Sequence, residues 1–359
     1  MSRRDIYYWK CDRPAAFHGT SLRQGEDAEI AALLRQELAR TFATSSVELK
    51  PASGQGNHLT WQALMGGRSY FIRVENGPEK DGHLAVESTV LDRVRGTGVV
   101  TPRVFGCDAS RSRVPFAWQA LELIPAHDLN QAFKRGTLQV PHIAFGIGQA
   151  VARWQSLSFT GFGILELGAA PHELRGPHAT YAGSFHLRLE QHLHFLKSRG
   201  FLQDADEILT EIEAHRSLLD LSPGCLVHKD LALWNILGSD DRIAAFIDFD
   251  DAISGDAMDD LSLLACFHDE AFLRRAFEGY QSLRPLPPEH LRRFWLHLLR
   301  NMIVKSVIRV GAGYFERDDG FFLIGSGASG GSLRAFTLAR LALALRGLRE
   351  GAGLQLLSS

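Results

Sequence analysis

The chain has 359 residues, 45% of them hydrophobic and 22% charged, which is enough apolar matter for one large or two modest globular domains. A formal net charge of −2 excludes a general binder of nucleic acid or of anionic membrane, since either needs concentrated positive charge. Four cysteines, Cys11, Cys107, Cys225 and Cys266, stand apart with no C-x-x-C pair, and no stretch approaches the roughly 18 apolar residues of a membrane span or the core of a signal peptide, so reduced thiols and a cytoplasmic location are expected.

Residues 1–25 are aromatic and charged without a period, with Tyr7, Tyr8, Trp9 and Phe17 among them. They read as an extension packed on the body or, in a sharper reading, as a cover for the functional site. Over 26–41, Ile30, Leu33, Leu34 and Leu38 share one helical face. Antiparallel strands are expected over 47–49, 59–65 and 70–74, the last two joined by Gly66 and Gly67. Between the first two, Ser53, Gly54, Gly56 and Asn57 belong to a short polar loop whose backbone N–H groups could approach phosphate oxygens closely, although plain hairpins use the same residues. A helix over 83–95 turns Val86, Val90, Leu91 and Val94 inward, and a strand over 116–124 ends at Pro125. That break divides the chain into an N-terminal part, 1–125, and a C-terminal part, 126–359.

The second part is mostly helical, with helices expected over 141–157, 184–199, 203–219, 289–310 and 333–348. His186, His192 and His194 invite a metal, but His192 and His194 are two apart and point to different sides of a helix, so no metal site is expected there. The glycine-rich residues 314–331 lack the G-K-[ST] ending of a nucleotide-binding P-loop.

The most informative stretch is 225–261, CLVHKDLALWNILGSDDRIAAFIDFDDAISGDAMDDL. His228, Asp230 and Asn235 stand as H-x-D-x-x-x-x-N, and an apolar strand over 243–247 delivers Asp248. Two further short strands, 226–227 and 234–237, put the polar residues at strand ends, where a rigid scaffold fixes them. The pattern points to phosphoryl transfer. A loose, charge-rich transition state needs metal ions on the phosphate oxygens and a carboxylate that orients the attacking hydroxyl and takes its proton. Asp230 is placed to be that carboxylate. Asn235 offers a neutral oxygen and Asp248 a charged one to Mg2+, which prefers hard oxygen ligands.

The segments HKDLALWNIL, IDFDDA and GDAMDDL resemble the aminoglycoside phosphotransferase and choline kinase-like family, small-molecule kinases related in fold to protein kinases. The family's usual pattern is H-G-D-L-H-x-x-N-I-L, then I-D-F-x-x-A, then G-D-x-x-x-D-L. Lys229 stands here where Gly is common, Ala232 where His is common, and Trp154-Gln155 where Leu-His is frequent. The resemblance spans about residues 47–264. It implies an α+β, two-lobed protein-kinase-like fold, with a small antiparallel-sheet N-lobe and a larger, mainly helical C-lobe. It further implies that Arg73 holds nucleotide phosphates from a strand and that Glu87 pairs with it. Backbone around Glu122, Leu123 and Ile124 would bind the adenine edge, Asp256 would brace the catalytic loop, and Asp260 would cap the next helix.

The expected activity is transfer of the γ-phosphoryl group of ATP, or another nucleoside triphosphate, to a small-molecule hydroxyl. An aminoglycoside-type antibiotic is the first expectation for the acceptor, as the family's commonest named substrate, with Asp269, Glu270, Asp318 and Asp319 offering charge to a cation. A metabolic kinase acting on a sugar, choline-like alcohol, nucleoside or hydroxy-amino acid is the second, and a nucleotide-binding module without catalysis the third. No nucleic-acid or membrane partner is expected.

Overall fold

The computed structural model describes residues 3–12, 26–52, 58–77, 80–170, 172–317 and 330–358. The first short helix, α1 (Trp9–Asp12), ends an amino-terminal arm, and α2 (Glu26–Thr41) follows. Then β1 (Val47–Pro51), β2 (Leu59–Met65), β3 (Arg68–Glu75), α3 (His83–Gly96), β4 (Val104–Asp108) and β5 (Ala117–Glu122) complete the smaller lobe. Its five-stranded antiparallel sheet runs β1-β2-β3-β5-β4.

Alternation sets the two faces of this sheet. Trp61, Ala63 and Met65 of β2 and Tyr70, Ile72 and Val74 of β3 are buried together under Leu34 and Leu38 of α2, each fully buried leucine contributing about 2 kcal/mol. The odd positions of β3 therefore face the other way. Arg73 is thus delivered to the face that meets α3, in register with Thr60 and Gln119. On α3, Val86, Val90, Leu91 and Val94 join the core of the larger lobe, so this helix ties the sheet to the rest of the molecule.

The larger lobe begins with β6 (His127–Asp128), α4 (Leu129–Arg135) and α5 (Val140–Trp154). Short strands follow, β7 (Ser158–Phe159), β8 (Gly163–Ile164), β9 (Glu166–Leu167) and β10 (Leu174–Arg175), then α6 (Tyr181–Phe185), α7 (Leu189–Ser198) and α8 (Ala205–Ala214). Strands β11 (Gly224–Val227), β12 (Ile236–Gly238), β13 (Ile243–Phe246) and β14 (Ile253–Gly255) frame the loops that carry the polar motif. The chain closes with α9 (Asp259–Leu264), α10 (Glu270–Gln281), α11 (His290–Gly311) and α12 (Gly330–Glu350). Among the described residues no helix is long and apolar enough to cross a membrane.

Several elements depart from expectation. The helix expected over 184–199 is two helices, because Arg188 adopts a left-handed backbone (φ 59°) between them. The carbonyls of Phe185 and Leu187 freed at this break are met by the buried Arg300 guanidinium, at 3.1 and 2.7 Å. The helix expected over 203–219 stops at Ala214 and continues as a single tight turn, Arg216–Leu219. Strand β12 starts at Ile236 rather than 234, since Leu233–Asn235 forms a tight turn that swings Asn235 back toward the preceding loop. Helices α4 and α10 have no counterpart among the expected elements, whereas α9 is the helix expected at Asp260. Asp269 caps α10 by accepting from Phe272 N at 3.1 Å, and Glu270 pairs with Arg274. Both acidic groups are thereby engaged locally. Asp318 and Asp319 lie outside the described residues.

Candidate active site

The polar motif folds into two facing turns. Buried β11 ends at Val227, and the next residues are pinned by one carboxylate. Asp260 accepts from the backbone N–H of His228 (3.0 Å) and Lys229 (3.2 Å) and from Trp154 Nε1 (3.0 Å). Burial pushes Asp260 up to about 6 despite these donors. Asp260 is thus the residue that braces the loop, the part expected of Asp256. Asp256 instead accepts from Met258 N (2.9 Å) at the start of α9 and from Arg293 (2.6 Å). The exchange follows from α9 beginning at Asp259, which turns Asp260 inward under the loop.

His228 couples the two turns. Its Nδ1 accepts from Asp230 N at 3.3 Å, which leaves Nε2–H to donate to the carbonyl of Ile247 at 3.0 Å. Asp230 and the residue before Asp248 are therefore tied through one buried ring, itself tilted 43° against the Phe249 ring with centroids 4.2 Å apart.

Asp230 is buried. Asn235 Nδ2 donates to its carbonyl (2.8 Å) and to Oδ2 (3.2 Å), which fixes the amide and turns the Asn235 oxygen the other way. Two ammonium groups flank the same carboxylate: Lys305 Nζ lies 3.3 Å from Oδ1 and Lys10 Nζ 3.6 Å from Oδ2. Burial disfavours the charged form, but the Lys10 and Lys305 ammonium groups outweigh it and hold the carboxyl well below the usual range.

Asp248 sits in a left-handed conformation (φ 66°), uncommon for a residue with a side chain, and points at the sheet. Arg73 Nη2 donates to its Oδ1 at 2.8 Å, while Arg73 Nη1 reaches both oxygens of Glu87 at 2.5 Å. The same guanidinium donates to His58 Nδ1 at 2.9 Å and lies 3.8 Å from Asp250. Burial opposes its charge, yet Glu87, Asp248 and Asp250 raise it above the ordinary arginine value. Asp248 is pushed up by burial and by Asp250, against Arg73.

Of the residues singled out in the sequence, Asp230, Asn235, Asp248, Arg73 and Glu87 converge here. Ser53, Gly54, Gly56 and Asn57 lie outside the described residues. Glu122, Leu123 and Ile124 leave β5, with Glu122 N donating to Arg103 O (2.8 Å) and Ile124 O accepting from Ala126 N (2.9 Å).

Residues 1–25 carry two expectations, an extension packed on the body or a cover for the site, and the described part is the arm of residues 3–12. It runs into the site: Trp9 Nε1 donates to Asp251 (3.1 Å), Tyr7 OH accepts from Lys229 Nζ (3.0 Å), and the Arg300 guanidinium lies 3.6 Å from the Tyr7 ring centroid. Arg3 pairs with Asp81 and Arg4 with Glu166, both at 2.6 Å. Asp12 ties its end down, accepting from Tyr7 N and Tyr8 N and from His192 Nε2 at 2.7 Å. Cys11, Asp12 and His192 sit close enough to suggest a metal site. The hydrogen bonds exclude one: Arg300 donates to His192 Nδ1 (3.1 Å), so Nε2 carries the proton and offers no lone pair.

Residues 48–293 match the model of the phosphotransferase enzyme family. The chain belongs to this family. No curated protein matches it. Among solved structures it is similar to the aminoglycoside phosphotransferase APH(4)-Ia, at 18% identity and a TM-score of 0.62, over 90% of this chain and 100% of that one. A thermostable mutant of that protein, in ternary complex with ADP and hygromycin B, matches at 18% identity and 0.58, over 89% and 99%. A presumed fructosamine-3-kinase from Thermobifida fusca YX-ER1 matches at 22% and 0.58, over 87% and 98%. The fold is accordingly the two-lobed α+β fold of small-molecule kinases, and this phosphotransferase is an enzyme of that kind.

Proposed function

We propose that this phosphotransferase moves the γ-phosphoryl group of ATP, in the presence of Mg2+, to a hydroxyl of a small molecule. The observation that carries the reading is the joining of Asp230, Asn235, Asp248 and Arg73 through His228 and two short turns into one buried polar centre. The lobes would divide near Pro125, and the segment 122–124 would face the adenine.

The residues fit a divalent cation. Asp230, Asp248, Asp250 and Asp251 crowd together, and burial with like-charge repulsion pushes Asp251 up to about 8 and Asp248 upward, an imbalance that a cation would relieve. Asn235 and Asp248 would hold Mg2+, which would neutralise charge on the β- and γ-phosphates. Arg73, fixed by Glu87, clamps phosphate oxygens with a guanidinium that stays charged at all working pH values. Asp230, ionised, accepts the hydrogen bond of the acceptor hydroxyl and aims its oxygen at phosphorus. The new O–P bond forms as the bond to the leaving ADP oxygen breaks, and the hydroxyl proton passes to the Asp230 carboxylate. A carboxylate so weakly basic takes that proton late, as a loose transition state permits.

Two acceptor classes remain in view. An aminoglycoside is supported by the fold shared with APH(4)-Ia. A metabolic hydroxy compound is supported by the edge of the site beside Asp230, where an ammonium placed about 6 Å from Lys10 or Lys305 meets a repulsion of about 3 kcal/mol at an effective dielectric constant of about 20, set against the attraction of the neighbouring carboxylates. The test of phosphotransfer is Asp230→Ala. Nucleotide binding, read by calorimetry, should be largely kept while turnover falls about a hundredfold or more. Turnover near the parent's would remove Asp230 from its assigned part.

A further inference from the structure

Lys10 and Lys305 come from opposite ends of the chain and meet on one carboxylate. Lys305 projects from α11, over the rings of Phe267 and Tyr8, at 5.4 and 5.7 Å. Lys10 lies 5.1 Å over the Trp9 ring, its side chain 35% exposed and so open to the site. For both, Asp230 is the one carboxylate within ion-pair distance among the described residues. Neither oxygen of Asp230 can receive an acceptor hydroxyl without bringing that molecule alongside an ammonium group. As the hydroxyl proton passes to Asp230 the carboxylate is neutralised and both ammonium groups lose counter-charge, which a negative group on the acceptor would restore.

The arm that carries Lys10 is built in. Ile6 and Tyr8 are each 4% exposed, and the arm covers the buried Lys229 and Arg300. Pulling it away would strip a ring from Arg300 and a hydroxyl from Lys229, so it stands as a wall and not as a plug.

We propose that the arm forms one side of the acceptor pocket and that Lys10 and Lys305 select a hydroxy compound bearing an anionic group, a carboxylate or a phosphate ester, beside the hydroxyl that is phosphorylated. This rests on the phosphotransfer reading of the same site and assigns its substrate class.

The experiment uses the full chain with ATP and Mg2+ and a matched panel: uncharged sugars and polyols, the corresponding sugar acids and hydroxy acids, the corresponding sugar and polyol phosphates, and kanamycin and hygromycin B, read by mass gain of one phosphoryl group. At least one acid or phosphate should show kcat/KM about tenfold or more above its uncharged counterpart. Lys10→Gln and Lys305→Gln should each raise the KM of that acceptor about tenfold and shift the KM of ATP by less than about twofold, and Lys10→Glu should invert the charge preference. The carboxylate and phosphate arms separate the two sources of negative charge. Preference for the polycationic or uncharged members, or faster turnover of the anionic acceptor by Lys10→Gln, overturns the inference. Loss of every acceptor overturns it as well, and slow ATP hydrolysis abolished by Asp230→Ala then tells whether the phosphotransfer reading survives.

Discussion

Lys229 occupies a position where backbone and side chain make opposing demands. Its φ of 68° belongs to the left-handed region, at an expected cost of about 1–2 kcal/mol, and explains why glycine is the common residue there. The ammonium is buried between Asp259 Oδ2 (2.7 Å), Asn301 Oδ1 (3.0 Å) and Tyr7 OH (3.0 Å), which holds the strained loop in place. Lys229→Met should destabilise the chain by about 3–5 kcal/mol in urea unfolding, because Asp259 keeps Asn301 as a donor but is left buried beside no ammonium group. Lys229→Gly should cost about 1 kcal/mol less, since it relaxes the backbone. His268 gives a second residue-scale expectation. Burial, then Arg340, lowers it to about 3 from 6.5, and its ring stacks 3.9 Å from Phe272. The unfolded chain binds the proton first as pH falls, so the stability from this group is complete above about pH 6.5 and is lost downward toward pH 3. His268→Phe should therefore flatten the loss between pH 6.5 and 5 by about 2 kcal/mol, measured as urea midpoints across that range. At this scale the sequence was most legible where chemistry needs a fixed spacing. Asp230 and Asn235 are in contact, His228 ties their turn to the one that carries Asp248, and Arg73 contacts Glu87. Lys10 and Lys305 belong to no spacing, being 295 positions apart, and only folding brings them together.

Among the elements, α5 and α10 approach through glycine. A Cβ on Gly148 would run into the carbonyl of Ala276, and one on Gly279 into the carbonyl of Phe145, so the helices pack backbone to backbone. Gly148→Ala or Gly279→Ala should separate them and lower stability by about 1–3 kcal/mol or more, read by thermal unfolding, with the larger loss in the double variant. Periodicity revealed the sheet strands and the longer helices because apolar faces repeat along them, as with Ile143, Ile147, Val151 and Trp154 of α5. It could not reveal the break between α6 and α7. The partner of the freed carbonyls is Arg300, more than a hundred residues away, and no local residue marks it. It also missed α10, although Asp269 and Glu270 are a sound helix start; read as loose acidic charge, they concealed the cap.

At the scale of the molecule, Arg73 and Asp248 join the sheet to the larger lobe across the centre of the site. A nucleotide with Mg2+ bound there should stabilise both lobes together. At a free concentration about a hundredfold above Kd, the gain is about 3 kcal/mol, seen as a rise in Tm. Asp248→Ala should abolish most of the rise contributed by Mg2+ while keeping a smaller one from nucleotide alone; an undiminished rise would remove Asp248 from the cation site.

The family match runs from 48 to 293, whereas Lys10 and Lys305 both fall outside it. Lys10 lies on the arm ahead of the matched region, and Lys305 on α11, the helix in which that region ends. Because both ammonium groups also set the basicity of Asp230, mutation at either position should alter which compound is chosen and the ease of proton transfer together, and a graft of the arm would have to bring the Lys229 and Arg300 that hold it.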